Sequence, residues 1–356
     1  MSEWRTLPLS EVVELRRGFD LPHRDRRNGP YPVVSAGTVM GTHDQGPVKG
    51  PGFAVGRATN LGVPTWSEGD YWPLNTTLYA ADFKGNDPEF LFRLFQRLDL
   101  SGFDSGSVQP MLNRNYIAQV KVRLPPLSEQ RGIAEVLGAL DDKIAANTRF
   151  LTTARELVDA ELDSALAASA ETRTVDDLAA FHNRRRVPLS ANQRKERAGD
   201  VPYYGAAGPI DTVDVALFDE EIVLVGEDGS VMTERGAPVV QYVWGPSWVN
   251  NHAHVLTGSS VSTPFLRVLM ERGNVAHLVT GAVQPKLSMG NLKRLELSLP
   301  ADSTQLQATV DAHAAIERAK KSESRLLAAT RNALLPLLMS GKVRVQDAES
   351  VVGEVL

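Results

Sequence analysis

The chain has 356 residues, 42% of them hydrophobic, a formal net charge of −5 and no cysteine. That is enough apolar material for at least two buried cores, and the missing cysteines exclude a disulfide framework and any cysteine-held metal cluster. No apolar run approaches the roughly 18 to 20 residues that span a bilayer, and the start MSEWRTLPLS lacks a basic segment followed by an apolar one, so a cytoplasmic protein without membrane contact is expected.

From the N-terminus, Leu9, Val12 and Leu15 form a short amphipathic opening. Directly after it RRGFDLPHRDRR packs five arginines, Arg16, Arg17, Arg24, Arg26 and Arg27, against two aspartates. Such a run is normally a solvated loop, but a local basic cluster counts for more than net charge when the partner is an anion. PVVSAG, GFAVGR and TTLYAADF then carry the β-branched and aromatic enrichment of strands, broken by Gly, Pro and Asn. DPEFLFRLFQRL places apolar residues at helical spacing with Asp87 as a capping candidate. The unit closes on GSVQPMLNRNYIAQVKVRLPPLSEQ.

Beyond Pro125 and Pro126 the texture changes. A proline-free stretch from Ser128 sets Ile133, Leu137, Leu140, Ile144, Asn147, Leu151, Ala154 and Val158 at alternating steps of four and three, the seam of a coiled coil. Ser128 is the expected N-cap, with Glu129 beside the positive helix end. About 39 residues at about 1.5 Å each predict a rod of roughly 60 Å.

The same order then repeats. Val175, Leu178 and Phe181 answer the opening segment, and HNRRRVPLSANQRKER, containing Arg184, Arg185 and Arg186, sets six basic residues against one glutamate at the equivalent place. VPYYGAA, EIVLVGE, VVQYVW and HAHVLTG read as strands, and TPFLRVLMERG as a helix with Thr263 as its capping candidate. GAVQPKLSMGNLKRLELSLPADSTQ echoes the earlier closing stretch: Gln109 and Gln284, Pro125 and Pro300, and Gln130 and Gln305 all differ by 175 positions. Upstream matches sit at offsets of 170 and 176, a drift assigned to loop insertions. A period this long means duplicated domains rather than a solenoid.

A second rod is predicted from about Thr304 to Met339, with Leu306, Val310, Ile316, Leu326, Leu327 and Leu334 as anchors and Pro336 kinking or ending it. Pairing the rods antiparallel is the economical arrangement, and it relates the halves by an approximate two-fold axis. Asn147 on the seam then helps fix register at some cost in stability.

No nucleophile elbow, phosphate-binding loop or dinucleotide fingerprint occurs, nor an NPPF or DPPY segment of the kind that holds a flipped adenine. His252 and His254 in HAH lie two apart, which on a strand puts them on one face without a third ligand, so no metal is assigned.

A globular unit ending in LPPLSEQRGIAEVLGALDDKI, a long helix, and the same order again resemble the specificity subunit of type I restriction-modification systems over essentially the whole chain. The resemblance implies an α/β fold of two target recognition domains, at 1–125 and 171–300, joined by spacer helices at 126–170 and 301–345 that pair as an antiparallel coiled coil, with a C-terminal tail at 346–356. It implies a non-catalytic subunit that reads a split DNA target and positions DNA adenine methyltransferase subunits, two being expected, with restriction or translocase subunits as further partners. No cofactor is expected on this chain, S-adenosylmethionine belonging to the methyltransferase. The second junction reads LPADSTQ in place of LPPLSEQ, which puts partner contacts on that side in doubt.

Within that frame the arginine clusters are expected to meet phosphate. The base-reading candidates are loop polar residues: Arg57, Asn60, Asn75 and Gln109 in the first unit, and Asn251, His252, Gln284 and Lys286 in the second. About a third are expected to touch DNA, since Asn at turns often serves the backbone alone. Ile133, Leu137, Leu140, Ile144, Asn147, Leu151, Val158 and Leu326 are expected to hold the helix pair. The competing readings are a coiled-coil scaffold that reads no DNA and a hydrolase with dispersed catalytic residues.

Overall fold

The computed structural model describes residues 4–356 except 59, 101, 106–110 and 282. In chain order the elements are β1 (Arg5–Pro8), α1 (Leu9–Val12), β2 (Glu14–Arg17), β3 (Tyr31–Ser35), β4 (Thr38–His43), β5 (Gly52–Gly56), β6 (Pro64–Ser67), β7 (Trp72–Pro73), β8 (Thr77–Asp82) and α2 (Pro88–Arg97). Next come β9 (Asp104–Ser105), β10 (Met111–Leu112), α3 (Arg114–Ile117), β11 (Lys121–Leu124) and the 42-residue α4 (Leu127–Ala168). The second series is β12 (Ala170–Thr174), α5 (Val175–Leu178), β13 (Ala179–Phe181), α6 (Ala191–Glu196), β14 (Val201–Tyr204), β15 (Pro209–Val213), β16 (Phe218–Asp219), β17 (Ile222–Gly226), β18 (Val240–Val243), β19 (Pro246–Val249) and β20 (Ala253–Gly258). It closes with α7 (Thr263–Arg272), α8 (Met289–Lys293), β21 (Glu296–Pro300), α9 (Thr304–Met339) and α10 (Val345–Val355).

Two compact units result, Met1–Ala146 with Glu323–Leu356, and Asn147–Ser322, so the boundary cuts both long helices. In the first unit the main sheet has the order β2-β8-β5-β6, the small sheet β4-β3-β7, and β1 pairs with β11. The second unit repeats this with β13-β20-β17-β18, β15-β14-β19-β16 and β12-β21.

The registers coincide as well. The parallel pair Val33↔Trp72 corresponds to Tyr203↔Trp248, Ala54↔Tyr79 to Leu224↔Val255, and Arg5↔Leu124 to Glu171↔Leu299. Because a one-residue slip would turn every side chain to the opposite face, the drift in offset is absorbed in loops and never within a strand. The step from 170 to 176 falls between β17 and β18, where residues 227–239 replace the shorter 57–63 of the first unit.

Strands β5 (GFAVG) and β17 (IVLVG) are buried along their whole length, which explains their near-continuous apolar sequence. Alternation assigns their two faces. Phe53 and Val55 join α2 and the long helices in one core, whereas Ala54 faces Val34, Val48 and Tyr71 of the small-sheet side. Val223 and Val225 pack with Phe265, Leu269, Val158, Leu162, Leu306 and Val310, while Leu224 packs with Phe218, Val249 and Val255.

Within each unit the long helices run side by side. In the first, Ile133, Leu137 and Leu140 share a core with Leu327, Leu334 and Leu338. Asp141 pairs with Arg331 and Lys143 with Glu323 at 3.5 Å, so numbering rises on one helix as it falls on the other, the antiparallel sense. The four-three seam is the covered face: Ile133, Leu137, Leu140, Asn147 and Val158 are buried and Ile144, Leu151 and Ala154 half-buried. Arg93, 5% exposed, pairs with Glu89 of its own helix at 2.9 Å and docks α2 on α4 through Asp141 at 2.7 Å. A buried guanidinium needs such partners, since removing one leaves an uncompensated charge.

Several local expectations are corrected. Leu326 and Ile316 are 54% and 42% exposed, and the adjoining Leu327 fills the seam instead. Helix α4 begins one residue before Ser128, because Pro126 O accepts the N–H groups of Glu129 and Gln130, both at 3.0 Å. Ser262, not Thr263, caps α7 by accepting from Phe265 N, whereas Asp87 does cap α2. Pro336 does not end α9, which continues to Met339, and Ser340 Oγ donates to Pro336 O at 2.8 Å. The residues expected as a tail instead form α10, whose Ala348 and Val352 complete the first core. Gly132 admits this helix, because a Cβ there would lie 2.8 Å from Val345.

At the first junction, buried Gln130 accepts from Asp87 N at 3.0 Å and donates to Asn86 Oδ1 and Pro125 O, tying α4 to the cap of α2. In the second unit the corresponding bond, to Ser262 N at 2.9 Å, comes from Gln307. Gln305, which the sequence echo pairs with Gln130, is exposed. The altered second junction therefore keeps the joint by starting α9 two residues later after Pro300, so that Gln307, like Gln130, is the fourth residue of its helix.

Candidate nucleic-acid interface

In each unit the polar loops chosen from sequence meet at one end of the main sheet. In the second unit Glu227, directly after β17, donates its N–H to His252 O and accepts from Leu287 N, both at 2.8 Å. Gly229 N reaches Pro285 O at 3.0 Å, so the segment holding Gln284 and Lys286 is stitched beside the turn of Asn251 and His252. The tip between β14 and β15 joins them, with Gln241 Nε2 donating to Gly205 O and Ala206 O, each at 3.0 Å. The first unit repeats the frame: Leu112 N donates to Arg57 O and Arg57 N to Thr76 O, both at 2.8 Å, and Asn60 Nδ2 reaches Ala36 O at the tip between β3 and β4.

The charges within this frame separate structural residues from available ones. Arg186 is braced in place, donating to Glu227 at 2.7 Å, Ala253 O at 2.7 Å and Asn183 O at 3.0 Å, with 14% of its side chain exposed. Arg185 bonds Glu220 and Leu217 O and lies 4.2 Å over the Phe218 ring. Arg184 is exposed and meets no side chain among the described residues. The triple arginine thus divides into one brace, one half-committed side chain and one available cation.

His252 contacts Asp228, and Lys286 lies 3.8 Å from Glu227. His252 precedes β20 in a turn and is half-exposed, whereas His254 is fully buried, so they do not share a strand face. His254 accepts from Asn183 Nδ2 at Nδ1 (2.9 Å) and donates from Nε2 to Leu287 O (2.8 Å), the pattern of a neutral imidazole. Burial lowers its pKa below the ordinary 6.5, outweighing the Leu287 carbonyl and Glu227, which act in the opposite direction. Among the described residues no cluster of three or more His, Asp or Glu side chains is arranged to hold a metal.

In the first unit Arg16 is tied to Glu14 at 2.7 Å, Arg27 to Asp44 at 3.0 Å, and Arg26 donates to Met40 O at 3.0 Å. Arg17 and Arg24 are exposed, Arg24 being 3.8 Å from Asp25, an ordinary surface separation worth little. Asn60 serves its own turn at φ +44, and Asn75 bonds Asp20. Arg57 is half-buried, and its guanidinium makes no hydrogen bond or ion pair with the described residues. Gln109 lies outside the described residues, and Asn251 and Gln284 are exposed.

Sequence reasoning passed over Glu227 and Asp228, the carboxylates that organise the second site. The available signal was positional: at an offset of 170, Glu227 stands where the first unit has Arg57. Equivalent frames therefore present opposite charges at one point, and the Arg186 brace consumes the negative one.

A family model, type I restriction modification DNA specificity domain, matches residues 1–153 and 169–320. The chain belongs to this family. The two matched stretches of the specificity family correspond to the two repeats. One similar protein is a type I restriction enzyme specificity subunit of Haemophilus influenzae, S.HindORF215P, 30% identical over 138 residues, or 38% of this chain. The match spans 35% of that relative's length. Among solved structures, the S subunit of a type I restriction-modification system from M. genitalium superposes with a TM-score of 0.65 at 16% identity, covering 95% of this chain and 96% of that one. At that identity the likeness shows a shared fold. No helix among the described residues is long and apolar enough to cross a membrane.

Proposed function

We propose that this chain is the DNA sequence-specificity subunit of a type I restriction-modification complex, each α/β unit reading one half of a split target. The observation that carries this reading is one frame built twice with different side chains on it. The strand registers coincide and the described loops make equivalent bonds at one sheet end, yet where the first unit has Arg57 the second has the Glu227–Arg186 pair. Two copies of one scaffold suit the two halves of a bipartite DNA site, and different side chains suit unequal half-sites.

Arg17, Arg24 and Arg184 are the phosphate-contacting residues in this reading, because they are exposed and not consumed by internal carboxylates. Arg57, Asn251, His252, Gln284 and Lys286 are the base-reading set. The chain performs no chemistry itself and carries no cofactor; DNA adenine methyltransferase subunits with S-adenosylmethionine act where it places them, and a restriction subunit joins the same assembly. The test is to purify the chain with its methyltransferase and map the modified motif. A bipartite motif, with Arg57→Ala relaxing one half-site alone, is expected. Equal modification of all adenine contexts by the complex would overturn the reading.

A further inference from the structure

Each small sheet ends in an edge strand that carries one feature polar-residue reasoning ignores. Among the described residues β4 pairs only with β3, and β15 only with β14. Their last residues, His43 and Val213, are buried, but the residues before them are exposed. Among those, Met40 is 43% exposed and Ile210 57% exposed. The two occupy the same position in their repeats at the offset of 170, so both units place a large apolar side chain on the same point of an outer strand.

A single exposed apolar residue is ordinary, and β15 opens on Pro209, a usual guard of an edge strand; what points to a contact is the recurrence of such a residue at the equivalent point of both repeats. The surroundings favour a polyanion. In the first unit Arg26 of the basic cluster bonds Met40 O itself, with Arg24 and Arg27 close in sequence. In the second, the other cluster lies along the strand in the same way, Arg194 bonding Asp211 beside Ile210 at 2.7 Å and Arg197 holding Asp214 at 3.0 Å, which leaves Arg184 as the cation open to an anion. Each strand also springs from the hairpin tip that Asn60 or Gln241 stitches into the loop frame described above.

Resting on the DNA reading, we propose that Met40 and Ile210 are specificity-determining residues, each seated against a thymine methyl group in the major groove of its half-site. The C5-methyl is the apolar mark that thymine alone presents in that groove, and apolar side chains are its natural contacts. The exposed Arg17, Arg24 and Arg184 hold the duplex by its phosphates, while the apolar residue contributes identity at one position. A neighbouring protein adding a strand to β4 or β15 is the alternative, and the test separates the two.

The test uses the reconstituted complex with its methyltransferase, on duplexes in which each thymine of the mapped motif is replaced singly by deoxyuridine. Every half-site offers at least one, opposite the adenine to be methylated. For one thymine per half-site, wild-type affinity should drop about four-fold, the factor for losing one methyl-sized apolar contact of about 0.8 kcal/mol. Met40→Ala should abolish that dependence in one half-site and Ile210→Ala in the other, while Met40→Leu keeps it. Both positions are exposed, so the variants should fold normally. Uracil substitution without effect, or the same penalty in wild type and alanine variants, overturns the proposal while leaving DNA specificity intact. Loss of complex assembly in Met40→Ala with unchanged base dependence identifies a protein contact instead. Failure of the wild-type complex to bind DNA removes both this inference and the reading beneath it.

Discussion

The long helices offer the sharpest test of how this chain measures its target. Both cross the boundary between the compact units, α4 at Ala146 and Asn147 and α9 at Ser322 and Glu323. Inserting four residues at both points adds about 6 Å along the helix axis and a rotation of roughly 40°. On B-DNA at about 3.4 Å per base pair the advance is nearly two base pairs. Each core remains intact, because the Asp141–Arg331 and Lys143–Glu323 pairs lie wholly in the first unit and Val158, Leu162, Leu306 and Val310 wholly in the second. Four residues nearly preserve the apolar face, so the seam suffers a stutter rather than a break. The modified motif of the double-insertion complex should keep both half-sites and gain one to two base pairs of spacer. Insertion into α4 alone sets the two helices 6 Å out of step and should lower the melting temperature without giving a defined new spacer. A two-residue insertion swings the apolar face by about 200° and should be worse still. An active double-insertion complex with the original spacer would show that the helices do not set the distance, and the spacer reading would fall.

Other perturbations separate binding from folding. Arg184→Ala should weaken DNA binding alike on all sequences and reduce the log-log salt slope by about 1; an unchanged slope returns Arg184 to a solvated loop. Arg186→Ala should instead cost about 2 kcal/mol of stability in denaturant titration, because Glu227 loses its charged donor and the carbonyls of Asn183, Asn251 and Ala253 lose a partner. His254 and His313 are both pushed below 6.5 by burial, so the unfolded chain binds more protons as pH drops beneath about 6.5, and stability should decline from there downward. His254→Gln should remove part of that slope in thermal melts between pH 7 and 5, and an identical slope would refute its contribution. Gln307→Ala should cost about 1 kcal/mol or more and Gln305→Ala under about 0.5 kcal/mol, the reverse of what the sequence echo implies.

Much of this architecture is legible in the sequence. The duplication showed in Gln109 and Gln284 and in paired prolines at constant offset, and the strands showed in β-branched runs such as EIVLVGE. The seam from Ile133 to Val158 followed from four-three spacing. Each of these is periodic or local: backbone geometry alone puts residues at those steps on one face, so a linear pattern carries the information. The family resemblance at LPPLSEQ rested on the same kind of contiguous signal.

What tertiary structure decided is which members of a type are already spent. Arg184, Arg185 and Arg186 are identical letters in a row, yet Glu227, some forty positions away, captures only the last. Leu326 and Leu327 both satisfy a helical pattern drawn by eye, and about 100° of rotation buries one and leaves the other in water. Gln305 continues the echo while Gln307 makes the bond, because two further junction residues delay the start of α9 and put Gln307 at the helical position that Gln130 holds in α4. Periodicity fixes which way a side chain points. Whether it meets solvent, a carboxylate or a neighbouring cap depends on segments far away in the chain, and only folding brings those together.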